Sequence, residues 1–170
     1  MNFRKAEIRD IPEIMQIIKA AQKYLKNKGI DQWQNNYPNP DTIKEDIEND
    51  NSYLIKIDKK IIATAAIIFG DDPTYHYIED GAWIADGKYG VIHRAAVAEE
   101  YKGQGIMAEI FSQTYRLGKS KNAKSIRIDT HLKNSAMQRA IEKENFEYCG
   151  IIYTSDGSKR LAYEKPIKNL

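Results

Sequence analysis

Gly103 and Gly105 lie in the stretch Val97-Ala98-Glu99-Glu100-Tyr101-Lys102-Gly103-Gln104-Gly105-Ile106-Met107, which joins an apolar strand to an amphipathic helix. Glycines at such a junction let the backbone approach an anion closely. The helix start adds unpaired N–H groups and the positive end of its dipole. Together these can grip a diphosphate, although the same residues also read as an ordinary bend. A third reading is the dinucleotide fingerprint G-x-G-x-x-G/A, which Gly103-Gln104-Gly105-Ile106-Met107-Ala108 fits, with Asp129 ~20 residues on as the ribose-binding acid. Against it, Ala98 to Lys102 intervene after the strand, and the motif lies past mid-chain with too few βα units around it. A Walker A reading of Gly118-Lys119-Ser120 fails because Gln113 stands where that motif needs glycine.

Two residues are placed to move a proton. His93 lies four residues before Val97, and strand alternation puts both on one face with Ala95 between them. An imidazole with an unperturbed pKa near ~6.5 suits a general base without tuning. Asp129 is the other candidate; a carboxylate starting near ~3.9 needs burial or a water relay for that task. His131, two residues on, falls on the same face as Asp129. Each also has a structural reading, His93 as a hydrogen-bonded histidine in a sheet and Asp129 as a strand-end cap. Cys149 is the single cysteine and reads as a small buried apolar residue, and no metal site is expected.

These residues need elements to hold them. A short strand, about 3–7, opens the chain. Asp10 as N-cap with Glu13 three residues on starts a helix, in which Ile11, Ile14, Met15, Ile18, Ala21 and Leu25 recur at helical spacing until Gly29. A loop rich in polar and aromatic residues covers 31–40, and Thr42-Ile43-Lys44-Glu45 is a capping box for a second, shorter helix. Residues 52–57 and 61–69 read as a hairpin, 70–90 as a long loop with some strand, and 89–97 as a strand. A helix over about 105–119, a strand over 125–130, a helix capped by Ser135 and running to about 144, and a hairpin of 146–153 with 160–165 complete the chain. The order β-α-α-β-β-β-α-β-α-β-β predicts an α/β (α+β) fold, with a mixed, mostly antiparallel central sheet flanked by helices, as a single domain over 1–170.

Composition narrows the function. A net charge of +2 over 170 residues offers no concentrated basic face, so no nucleic-acid partner is expected. The longest apolar run, 61–69, is far short of the ~20 residues that span a bilayer, and the N-terminus shows no export signal. A cytoplasmic protein without a membrane partner is expected.

The run of motifs resembles the GNAT superfamily of N-acetyltransferases. In that pattern a strand ending in a small-Val pair, here Ala96-Val97, precedes Arg/Gln-x-x-Gly-x-Gly/Ala and a helix. A strand then follows, here Ile126 to Thr130, with an Asn-led helix at Asn134 and a closing Gly-Phe pair, here Asn145-Phe146. Lys102 replaces the usual Arg or Gln, and Met107 a small residue. Ile141 stands where many members carry the tyrosine that protonates the departing thiolate, with Tyr148 and Tyr153 as substitutes.

The resemblance implies acetyl-coenzyme A as acyl donor. Its diphosphate would rest on the N–H groups of Gln104 to Met107, including Gly105 and Ile106, within the turn that begins Lys102-Gly103. Ala96, Val97 and Asn134 would lie along the acyl-pantetheine arm, and Arg116, Lys119, Lys121 and Lys124 near the 3′-phosphate. His93 and Asp129 would be the base candidates. It further implies an acceptor wall of Trp33, Tyr75, Glu79, Trp83 and His131, suited to a small-molecule amine, and a homodimer. Acetylation of a peptide or protein amine, and a non-catalytic coenzyme A sensor, remain alternatives.

Overall fold

The structure is a computed structural model and describes residues 1–168. Its strands are β1 (Asn2–Lys5), β2 (Ser52–Ile57), β3 (Lys60–Phe69), β4 (Tyr89–Val97), β5 (Ser125–His131), β6 (Glu147–Tyr153) and β7 (Lys159–Pro166). The helices are α1 (Ile11–Asn27), α2 (Pro40–Glu48), α3 (Ile106–Ser120) and α4 (Ser135–Lys143). The strands hydrogen-bond in the order β1-β2-β3-β4-β5-β7-β6. β4 and β5 are parallel, from Tyr89↔Ser125 to Ile92↔Ile128, while β1/β2, β2/β3, β5/β7 and β6/β7 are antiparallel. This is the mixed, mostly antiparallel sheet expected from the order of elements. Among the described residues no helix is long and apolar enough to cross a membrane.

The chain divides into two compact units, Met1–Ile67 with His93–Ile110, and Ile68–Ile92 with the chain from Phe111 onward. In the first unit the apolar stripe of α1 (Ile14, Ile17, Ile18) packs with Ile43, Leu54, Ile61, Ala96 and Ala98. Each fully buried isoleucine contributes roughly 1.5–3 kcal/mol.

The helix starts differ from the expected caps. Asp10 does not cap α1. Its carboxylate turns back to accept from Arg4 at 2.8 and 3.0 Å and from the Glu7 N–H at 2.8 Å, because a short 3-10 turn precedes the helix. Glu13 instead accepts the Ile61 N–H at 2.6 Å and so ties α1 to β3. The cap of α2 lies three residues before the expected one. Asn39 accepts the Thr42 N–H at 3.0 Å, and Thr42 Oγ1 accepts the Asn39 N–H at 3.3 Å. At α4 the cap is Asn134, which accepts the Met137 N–H at 3.2 Å, and not Ser135.

The second unit is built around Tyr75, Tyr89, Val91, Ile152 and Ala162, with Trp83 packed against them. The irregular stretch before β4 contains a 3-10 turn, Pro73–Tyr75, and a single bridge, Glu79↔Ile151. Gly81 sits so close to β6 that a Cβ there would lie 1.9 Å from the Cys149 carbonyl oxygen.

A buried ion pair pins the end of this stretch. Glu164 is fully enclosed, and its carboxylate accepts from Arg127 Nε at 2.9 Å, Ser125 Oγ at 2.5 Å, the Ile84 N–H, and the Ala85 N–H at 3.3 Å. The Arg127 guanidinium lies 4.2 Å from the Trp83 ring centroid and 4.0 Å from that of Tyr89, and it donates to the Ala85 carbonyl at 3.0 Å.

Removing one member strands a buried charge, which costs about 3–5 kcal/mol, whereas exchanging both for apolar residues is close to neutral. Arg127→Met is therefore expected to lower unfolding stability in urea by that amount. Arg127→Met with Glu164→Gln, which removes both charges but keeps an acceptor for Ser125 and the Ile84 and Ala85 N–H groups, should recover part of it; a double variant as unstable as the single one contradicts this account of the pair.

Candidate functional site

The glycine turn belongs wholly to the first unit. After β4, Glu99–Tyr101 form a 3-10 turn, and α3 begins at Ile106. Gly103 and Gly105 both occupy the left-handed region, at φ 74° and 80°, and nothing lies within 4 Å of where a Cβ on either would point. The turn is held from behind. The Ala98 N–H donates to the Ile62 carbonyl at 2.8 Å, Gln104 Nε2 donates to the Glu100 carbonyl at 2.8 Å, and Glu100 pairs with Lys60. Lys102 pairs with Glu99 at 2.6 Å, and its ammonium lies 4.3 Å over the Tyr24 ring.

The side chains of Lys102 and Gln104 are thus engaged with the turn itself. What the turn offers forward is backbone. The Glu109 N–H closes the first helical bond, on the Gly105 carbonyl at 3.1 Å, so the N–H groups of Ile106, Met107 and Ala108 have no intrahelical acceptor. Open space in front of two left-handed glycines, with three such amides and the positive end of a helix dipole, is an arrangement suited to an anion. The dinucleotide reading fits poorly, because residues 98–105 and a 3-10 turn separate strand from helix and most of the sheet is antiparallel.

His93 and Val97 are both half-buried on β4, and Ala96 is buried between Ala95 and Val97. Arg94, between His93 and Ala95, has φ 51°. A non-glycine residue held there costs on the order of 1–3 kcal/mol. It also interrupts the two-residue period, so the expectation that His93 and Val97 share a face cannot be carried across it by counting. The Arg94 guanidinium grips Asp46 through Nε at 2.7 Å and Nη2 at 2.5 Å, and donates from Nη1 to the Tyr37 hydroxyl at 3.0 Å. Trp33 packs against the apolar core of this unit, which makes it an anchor for its loop.

The remaining candidates belong to the second unit. Asp129 accepts the Tyr75 O–H at 2.7 Å. Tyr75 is buried, and burial first, then the Asp129 charge, pushes its phenol well above the ordinary range near 10. Trp83 donates from Nε1 to the Tyr75 carbonyl at 2.9 Å and packs on its ring at 5.1 Å. Tyr75 is therefore enclosed by its neighbours, while Trp83, packed on it, stays half-buried.

Glu79 accepts the Tyr153 O–H, and the Tyr153 phenol is pushed up to about 12, chiefly by that bond. The exposed Tyr77 ring lies 6.4 Å from that of Tyr153. His131 takes the Lys133 N–H on Nδ1 at 3.0 Å, and Asp129 accepts from Tyr75. Asn134 spends its side-chain oxygen on the α4 cap. Ile141 is fully buried.

Sequence reading missed Arg94, Asp46 and Tyr37. The available signal was an arginine inside an otherwise apolar strand, since a charge there needs a partner.

A profile described as the Acetyltransferase (GNAT) family matches residues 15–146. A GNAT-family acetyltransferase from Streptococcus agalactiae is 33% identical, with a TM-score of 0.88 over 99% of this chain and 96% of that one. The ribosomal-protein-S18-alanine N-acetyltransferase from Escherichia coli is 14% identical, with a TM-score of 0.66 over 99% and 95%. The NatC complex bound to Gag peptide and CoA includes a chain 15% identical, with a TM-score of 0.67 over 98% of each. The last two share the fold with this chain. No curated protein matches it in sequence.

The Tyr75 phenol sets a pH dependence. The folded state keeps this proton after the unfolded chain, titrating near 10, has released its own. The stabilisation is therefore complete below pH 10 and is lost as pH rises above it. Tyr75→Phe should make the fall of urea stability between pH 10 and 11.5 shallower, by up to ~1.4 kcal/mol per pH unit. An unchanged slope would show that the phenol titrates normally.

Proposed function

Because the chain belongs to the GNAT family of acetyltransferases and is thus an acyltransferase, we propose that it moves an acetyl group from acetyl-coenzyme A to a primary amine. One observation carries this reading: the left-handed glycines 103 and 105 face open space beside the amides of Ile106, Met107 and Ala108, which have no acceptor within α3. Those amides would hold the diphosphate. Ala96 and Val97, just upstream on β4, would lie along the acyl-pantetheine arm.

An alkylamine with a pKa near ~10 is neutral only about once in 10³ molecules at pH 7, so a base speeds its attack. His93 is assigned that role. It takes the proton as the amine nitrogen bonds to the thioester carbonyl carbon, and a β4 main-chain N–H near Val97 donates to the oxygen as it gathers charge. The carbon–sulfur bond then breaks. A thiol of pKa ~8.5 leaves tolerably without an acid, which suits Ile141 in the tyrosine's place. Asp129, already bonded by Tyr75, is the second base candidate. The half-buried Glu79 carboxylate, beside the rings of Tyr77 and Tyr153, suits a cationic amine of small size.

Thiol release from acetyl-coenzyme A in the presence of spermidine, 2-phenylethylamine and a peptide with a free N-terminus tests the reading. Release with either of the first two supports a small-molecule acceptor, and release with the peptide alone replaces it. Binding of coenzyme A without release under any amine marks a sensor.

Gly105→Val places a β-branched residue at φ 80° and should weaken coenzyme A by calorimetry at least ~10-fold. His93→Ala should lower kcat ~10²-fold or more while donor affinity stays within about twofold. Turnover within a factor of about two of the wild type removes His93 as the base.

A further inference from the structure

Among the described residues Arg94 is the one non-glycine residue within a strand at positive φ; it adjoins the assigned base, and its side chain is the fork that holds Asp46 and Tyr37. Strand residues rarely sit at positive φ, and such outliers persist only where their surroundings over-determine them. Here the surroundings are specific. Asp46 is buried on α2, and both of its carboxylate oxygens are taken by the guanidinium. Tyr37 lies in the loop between α1 and α2, and its hydroxyl accepts the third contact.

That loop has other fastenings, from both flanking helices and through Trp33, which packs on the core: Asn39 Nδ2, at the α2 cap, donates to the Asn36 carbonyl at 3.1 Å. Gln22 Nε2 donates to the Pro38 carbonyl at 3.0 Å, and Gln34 Nε2 donates to the Gln22 carbonyl at 3.2 Å. Three of its residues, Trp33, Asn35 and Asn36, are themselves left-handed, so the loop has one defined course that little regular hydrogen bonding enforces. A planar fork reads a carboxylate in two places at once and a hydroxyl in a third, a geometry that lysine cannot supply.

We infer that Arg94 is a positioning residue: its fork on Asp46 and Tyr37 holds β4 in its left-handed step beside His93 and fixes the 31–39 loop to that step. The inference rests on the reading of β4 as the strand that carries the base and the acyl arm. Two consequences separate. The backbone step sets the direction of His93 and hence turnover, whereas the loop tether sets how the amine is received.

Arg94→Ala and Arg94→Gly distinguish them, because glycine adopts the left-handed step without a fork and alanine does not. The amine probe is whichever of spermidine, 2-phenylethylamine or a peptide N-terminus the wild type acetylates fastest. Arg94→Ala should lower kcat and raise the KM of that amine, each ~10-fold, with the KM for acetyl-coenzyme A within about twofold. Arg94→Gly should restore kcat to within about threefold while the amine KM stays raised. Amide exchange across residues 31–39, followed by mass spectrometry without ligand, should accelerate in both variants and in Asp46→Asn.

Glycine no more active than alanine overturns the positioning role. Unchanged exchange over 31–39 overturns the tether, whatever the turnover. A wild type that binds no coenzyme A would refute the donor reading instead, and the exchange measurement would still decide the tether.

Discussion

Three backbone amides at the tip of α3 have no acceptor within their helix, and two glycines ahead of them take a course open to few other residues. That constraint organises the first unit. To serve the proposed diphosphate site the turn must be exposed in front, at Ile106, Met107 and Ala108, and rigid behind, so that binding does not have to order it. The contacts divide accordingly. The Lys60–Glu100 pair, the Gln104 amide on the Glu100 carbonyl and the Ala98 N–H on β3 brace the rear. Lys102 lies back over Tyr24 beside Glu99. Side chains serve as scaffold and leave the main chain of the turn open, and under the proposed function Lys102 in place of the arginine or glutamine of the resembling pattern costs the site nothing.

A second constraint is electrostatic. Each unit places an arginine–carboxylate ion pair where an irregular segment must keep one shape. Arg94 and Asp46 do so beside the α1–α2 loop, and Arg127 and Glu164 beside residues 83–85. Such pairs add little net stability, since desolvation offsets most of their attraction. Their directional bonds select one course for segments that lack ladder hydrogen bonds. The Arg127 guanidinium, close to the rings of Trp83 and Tyr89, shows the same economy of space, with one group closing four contacts.

The element order and the mixed sheet were legible in the sequence because hydrophobic period and turn residues agree over most of the chain. Gly103 and Gly105 were legible for the same reason: positive φ is read directly from residue type. Caps were harder. Asp10, Thr42 and Ser135 each have a capping residue's chemistry, yet Asp10 found Arg4, while Asn39 and Asn134 lie nearer the true helix starts. A competing partner decided each case, and partners are set by the fold. Arg94 was illegible for a related reason, since nothing in residue type announces a left-handed arginine in a strand. Tyr75 has the composition of a binding wall, but tertiary packing enclosed it, and Trp83 beside it stays half-buried.

The account stands most directly on where the diphosphate rests. Titrating the isotopically labelled protein with coenzyme A and following backbone amide resonances measures this without regard to the acceptor. Saturable shifts concentrated at Gln104, Gly105, Ile106, Met107 and Ala108, and absent when pantetheine replaces coenzyme A, are the expected result. Tight binding that leaves those five amides unmoved would contradict it.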